Sequence, residues 1–249
     1  TPFGRLEGRS VQSLAVEAAQ MALERAGIER PQVGALYLGN FVAGPLSGQE
    51  VLAGMVADEL GLGGIPCTKV EGACASGGIA FRHACLAVAM GLTDAALVVG
   101  MEKMTHASGG AVTSALNCAM DNASDGVAGL TFPGVFGLMW RMHAAKYGTT
   151  REEIAAVVMK NKANGLKNPL AQMGGNISLD TIRQSAPIAD PLQLYDCCPV
   201  SDGAAALVVV RADRAKEAPD LPIRVLASAQ TRGSPRISGQ LEAISFEAN

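Results

Sequence analysis

The sequence has no uncharged apolar run of the ~18 residues that a membrane-spanning helix needs. Thr1 opens on a polar Gly/Arg/Glu segment, not on a signal-peptide pattern. A soluble cytoplasmic protein with no membrane partner is expected. No run of Lys and Arg accumulates and the formal net charge is −3, so the electrostatic footprint of a nucleic-acid binder is missing. Neither GxGxxG nor GxxxxGK[ST] occurs, which leaves Rossmann and P-loop nucleotide binding without support. The six cysteines, at positions 67, 74, 85, 118, 197 and 198, show no CxxC spacing. Neither a disulfide framework nor a zinc or other metal site is indicated, and these residues read as buried thiols with one reactive member.

Aromatic residues are scarce at 4% and charged residues make up 17%, whereas 49% of the 249 residues are apolar, with many Gly and Ala. That composition suits helices packed closely on a sheet, in one large or two smaller domains. Val11, Leu14, Ala18, Met21 and Ala22 mark one face of a helix that begins at Ser10 and stops at Gly27. A strand over 35–38, a helix over 51–60, a strand over 66–70, a helix over 76–90 and a strand over 95–99 follow. Such alternation predicts an α/β fold with a mainly parallel sheet. From Met101 to about Val135 the periodicity fades, which suggests an inserted functional loop region. Helices over 138–147, from Thr150 with Glu153 as a capping box, and over 179–184 come next, then a strand over 204–210. Pro219 and Pro222 mark a boundary before a strand over 223–229.

Cys74 stands in Val70-Glu71-Gly72-Ala73-Cys74-Ala75-Ser76-Gly77-Gly78, between a predicted strand and a predicted helix. Small neighbours permit a sharp turn and a close substrate approach. Unpaired N–H groups and the macrodipole at a helix start favour a thiolate, which suits attack on a thioester carbonyl. Taken alone, Cys74 reads as a small buried residue, as free cysteines often are; its sequence context reverses that reading.

The residues from Val70 to Gly77 resemble the nucleophile segment of thiolases, specifically those of the sterol-carrier-protein-type and archaeal acetyl-CoA acetyltransferase branch. The segments Gly91-Leu92-Thr93-Asp94, Gly100-Met101-Glu102-Lys103-Met104, Tyr147-Gly148-Thr149-Thr150, Asn168-Pro169 and Asp196 to Ala206 match the same family in order. The resemblance implies a thiolase fold: a mainly parallel mixed sheet flanked by helices in βαβαβ layers, with an inserted loop domain. Residues 1–103 with 201–218 would form the N-terminal domain, 104–200 the loop domain, and 219–249 the beginning of a C-terminal domain. It further implies an acyl-CoA:acyl-CoA C-acyltransferase that makes or breaks β-ketoacyl-CoA through a Cys74 acyl-enzyme, with the Cys74 N–H as half of an oxyanion hole. Coenzyme A thioesters would be substrates and no cofactor is needed. A homodimer or higher homo-oligomer and a zinc-ribbon/OB-fold partner protein are the implied partners. The family's histidine motifs and second catalytic cysteine belong to its C-terminal half, and its first strand precedes Thr1. A fragment or one half of a split enzyme is therefore expected.

Substrate-binding candidates are Ser76, Gly77, His106, Met139 and Asn168. Ser76 also suits a helix cap, and Met139, with Trp140 and Met142, lines an acyl pocket or packs the core. His83 sits more than two turns along the helix from Cys74 and reads as packing. His106 lies near the end of a strand, where α/β sites form, while His143 reads as packing or surface. Asp202-Gly203 predicts a turn, and Cys197-Cys198 a structural pair. Two alternatives stay open: a non-catalytic scaffold of the same fold, and a decarboxylating ketoacyl synthase.

Overall fold

In the computed structural model, which describes residues 1–234 and 236, Ser10 starts helix α1 (Val11–Ala26) by a reciprocal cap. Its Oγ accepts from the Ser13 N–H at 3.0 Å while Ser13 Oγ accepts from the Ser10 N–H at 3.1 Å. Gly27 ends the helix at φ 63°, a left-handed conformation open to a residue without Cβ. There follow β1 (Ala35–Gly39), the short α2 (Ala43–Ser47), α3 (Leu52–Glu59), β2 (Cys67–Val70), α4 (Ser76–Ala89) and β3 (Ala95–Glu102). Next come α5 (Gly109–Asn117), α6 (Phe132–Tyr147), α7 (Arg151–Gly165), α8 (Leu179–Arg183), a hairpin of β4 (Pro187–Ala189) and β5 (Leu192–Gln193), and β6 (Gly203–Val210). The chain divides into two compact units, one of Phe3–Ala107 with Ser201–Gln230 and one made chiefly of Ser108–Val200.

In the first unit the strands run in the order β2-β1-β3-β6. β1 is parallel to both β2 and β3, and β6 is antiparallel to β3, so the sheet is mixed and mainly parallel. Both faces are covered, as the apolar strands require. Leu36, Leu38, Leu97 and Val99 point to one face, where they pack with Leu14 and Ala18 of α1 and Leu52 and Val56 of α3. Their neighbours Ala35, Ala96 and Val98 point to the other, against Ala80, Ala84 and Val88 of α4. The alanines let α4 lie close to the strands.

The second unit is helical. α6 begins earlier than the periodicity predicts, because Thr131 Oγ1 caps it by accepting from the Gly134 N–H at 3.3 Å; Pro133 and two glycines interrupt the apolar pattern there. α5 escapes sequence reading for the same reason, since it opens on Gly109-Gly110 behind the Ser108 cap. The Thr150–Glu153 capping box forms as expected. Arg151 ties α7 to the hairpin region, donating to both Asp196 carboxylate oxygens at 2.9 and 2.7 Å and to Gln193 Oε1 at 2.6 Å. Its guanidinium also lies 5.2 Å from the Trp140 ring centre.

One expected element does not form. Residues 223–229 are irregular rather than a strand, with Ile223 and Leu226 exposed. An isolated extended segment gains no ladder of hydrogen bonds, and none of the described strands pairs with it.

Candidate active site

Val70, the last residue of β2, is followed by Glu71, Gly72 and a 3₁₀ turn, Ala73–Ala75, that feeds directly into α4. Ala73 has φ 49° and is the one non-glycine residue with positive φ among the described residues. A side chain in that region costs about 1–2 kcal/mol, so surrounding bonds must hold it. The Glu71 carboxylate accepts from the Ala73 N–H. Ser76 Oγ accepts from the Gly72 N–H at 3.0 Å and donates to the Ala73 carbonyl at 2.7 Å, and the Ala75 N–H donates to the Gly72 carbonyl at 3.0 Å. Cys74 thus projects, exposed, from a turn braced on both sides.

The sheet approaches this turn closely. A Cβ added to Gly39, at the end of β1, would lie 2.5 Å from the Ser76 carbonyl carbon and 2.6 Å from the Gly77 nitrogen. Only glycine fits. Beside it, Asn40 is buried: its Nδ2 donates to the Met101 carbonyl at 2.9 Å and to Glu102 Oε2 at 3.0 Å, while its Oδ1 accepts from the Ala43 N–H at 3.2 Å. The Glu102 carboxylate also accepts from the Phe41 and Val42 N–H groups. Burial pushes its pKa above the usual carboxylate value, against the pull of these donors and of the Lys69 charge.

A second polar knot lies at the β3 and β6 ends. Asp202 is fully buried and pairs with Lys103 Nζ at 2.6 Å. Its carboxylate also accepts from the Leu6 N–H at 3.0 Å, the Met104 and Thr105 N–H groups at 2.8 Å each, and Thr105 Oγ1 at 2.6 Å. Burial alone would raise its pKa, but the Lys103 and Thr105 bonds outweigh it and hold the group well below the usual range. The turn expected at Asp202-Gly203 is therefore an anchor.

Of the sequence candidates, Cys74, Ser76 and Gly77 come together. Ser76 is buried, 4% exposed, with its hydroxyl engaged inside the turn, where it braces the loop. Gly77 has open space where a Cβ would be. His106 is exposed, its Nε2 3.0 Å from the Leu46 carbonyl, on a cavity of about 630 Å³ lined by Arg5, Arg9, Gln49, Lys103 and Thr105. Cys74 is not part of that lining. Met139, half-buried on α6, and Asn168, exposed with Oδ1 accepting from the Leu170 N–H at 3.0 Å, belong to the second unit. His83 packs edge-on to Tyr37 with ring centres 6.1 Å apart, and His143 Nδ1 lies 2.6 Å from Thr149 Oγ1.

Among the described residues no group of three or more His, Cys, Asp or Glu is arranged to hold a metal ion. No described helix is long and apolar enough to cross a membrane. Burial raises the pKa of the Cys67, Cys85 and Cys197 thiols, so none of these three is primed as a nucleophile. Sequence reading missed Asn40 and the work of Glu102. The available signal was a carboxylate closing an otherwise apolar strand.

Comparison with known proteins gives the family. The family model described as thiolase, N-terminal domain, matches residues 1–213. The acetyl-CoA acetyltransferase of Methanothermobacter thermautotrophicus is 42% identical over 234 residues, covering 94% of this chain and 61% of that protein. Sterol carrier protein 2 of Oryctolagus cuniculus is 33% identical over 221 residues, covering 86% of this chain and 40% of that protein. The solved Ltp2-ChsH2(DUF35) aldolase superposes with a TM-score of 0.70 at 28% identity, covering 88% of this chain and 55% of that one. The chain therefore spans less than two thirds of the length of these relatives.

Proposed function

The chain belongs to the thiolase family, and from that premise we propose that it carries the acyl-accepting half of a thiolase site, with Cys74 as the nucleophile toward coenzyme A thioesters. The observation that carries the proposal is the placement of Cys74: an exposed sulfur on a strained strand-to-helix turn, braced by Ser76 and Glu71 and backed by a glycine on the sheet. Strain of this kind persists where surrounding structure over-determines it, and it clusters at functional sites.

As a thiolate, Cys74 adds to the thioester carbonyl carbon. The new S–C bond forms, the tetrahedral oxyanion collapses, and the bond to the coenzyme A sulfur breaks. Coenzyme A leaves with the proton that the cysteine thiol gave up. The Cys74 N–H, in the opening turn where a helix has no acceptor of its own to offer, faces the developing oxyanion. The acyl-enzyme then gives its acyl group to coenzyme A or, in condensation, to the α-carbon of a second acyl-CoA. In that step the α-carbon gives up a proton, the C–C bond forms as the S–C bond to Cys74 breaks, and the departing cysteine thiolate takes up the proton. An enzyme thioester lies close in energy to the one consumed, so the exchange runs in either direction.

The same proposal includes a cytoplasmic homodimer. β2 bonds only to β1 among the described strands, so its outer edge is open to a strand from a second copy. It also includes a zinc-ribbon/OB-fold partner; the name of the Ltp2-ChsH2(DUF35) aldolase, which joins two components, supports a partner subunit as such.

The test is direct. The chain is incubated with acetyl-CoA, and peptide mass mapping locates the acetyl group. Acetylation at Cys74 that iodoacetamide blocks and Cys74→Ser abolishes is expected. Acetyl found on another cysteine, with Cys74 free, would overturn the assignment.

A further inference from the structure

We propose that Glu102 is a positioning residue for the nucleophile: by clamping the corner after β1 it sets both ends of the segment that carries Cys74. The inference rests on the Cys74 reading above.

The corner touches that segment twice. The Asn40 N–H donates to the carbonyl of Val70 at 3.4 Å, where the nucleophile segment leaves the sheet. Gly39 meets the backbone of Ser76 and Gly77, where the segment enters α4. β3 adds a third contact, because a Cβ on Gly100 would lie 3.8 Å from Gly77 Cα. Glu102 lies two residues beyond Gly100 and reaches across to Asn40 Nδ2 and to the N–H groups of Phe41 and Val42. Three donors converge on one carboxylate. With them satisfied, residues 39–42 have a single arrangement, and the turn pressed against them inherits it.

The choice of side chain fits this work. Three donors need an acceptor with two oxygens and no hydrogen. A glutamine has one oxygen, and its NH₂ would face backbone N–H groups, leaving donors unsatisfied. An apolar residue would orphan the Phe41 and Val42 N–H groups and leave Asn40 Nδ2 with the Met101 carbonyl alone.

The experiment follows single-turnover acetylation of Cys74 by acetyl-CoA in the full chain, together with iodoacetamide labelling of all six cysteines. Glu102→Gln is expected to lower the saturating acetylation rate by roughly 10- to 100-fold, the scale of an ångström-sized misplacement, without changing the half-saturating concentration. Cys67 on β2 and Cys85 on α4, both half-buried, should keep their wild-type labelling rates. Glu102→Asp keeps both oxygens on a shorter stem and should lose about three- to tenfold; it decides the matter should Glu102→Gln unfold. Unchanged Cys74 acetylation in these variants overturns the inference and leaves the nucleophile standing. So does a loss accompanied by equally faster labelling of Cys67 and Cys85, which marks general loosening. Failure of wild-type Cys74 to accept acetyl removes the nucleophile assignment and this inference with it.

Discussion

Replacing Gly39 by alanine puts the sheet-to-turn contact under a measurable load. The added Cβ would sit 2.5 Å from the Ser76 carbonyl carbon, whereas ordinary contact begins at 3.4 Å, so something must move by the 0.9 Å difference. The obstruction is backbone on a helix packed through Ala80 and Ala84, and no flexible side chain can swing aside. Overpacking of this kind costs about 1–3 kcal/mol. Because the yielding atoms adjoin Cys74, a shift approaching 1 Å should also slow its acylation by about 100-fold. Gly78→Ala is the control, since nothing lies within 4 Å of its Cβ and it stands inside the first turn of α4. That change should raise stability by about 0.5–1 kcal/mol through backbone entropy, with acylation little altered. Urea denaturation and the acetyl-CoA mass assay read both effects. A Gly39→Ala variant as stable and as reactive as wild type would refute the idea that the sheet fixes the nucleophile turn.

Asp202→Asn should destabilise the first unit by about 3–5 kcal/mol in urea melts, because it leaves the Lys103 ammonium buried without its counter-charge. The folded pKa of Asp202 lies below its unfolded value near 4, so its contribution is complete above about pH 4 and drains away as pH falls further. A wild-type acid titration should therefore show a loss of stability below pH 4 that Asp202→Asn lacks, and parallel curves would count against the anchor. Arg151→Ala should cost about 3 kcal/mol by stranding the nearly inaccessible Asp196 carboxylate, seen as faster proteolysis within Ser108–Val200. Ala73→Gly relieves the positive φ but loosens the unfolded chain, so stability should move by less than about 1 kcal/mol. A larger loss there would mean that the Ala73 methyl does packing work.

Much of the architecture was legible in local spacing. Leu36, Leu38, Leu97 and Val99 alternate with residues of the opposite face, and Ser10 and Thr150 announce helix starts, because strand and cap rules involve neighbours a few residues apart. Where glycine or proline broke the pattern, as at Gly109-Gly110 and Pro133, α5 and the opening of α6 were hidden. The strand expected at 223–229 failed because extended backbone needs a partner that sequence pattern does not supply.

By itself the sequence determined that Cys74 would stand between a strand and a helix, amid residues small enough for a tight turn. Only the tertiary structure decided that Gly39 would press against the far end of that turn, and that Glu102, 62 positions along the chain from Asn40, would clamp the corner beside it. Capping and turn propensities act through adjacent residues, whereas a carboxylate's choice of donors depends on which strands the fold sets side by side.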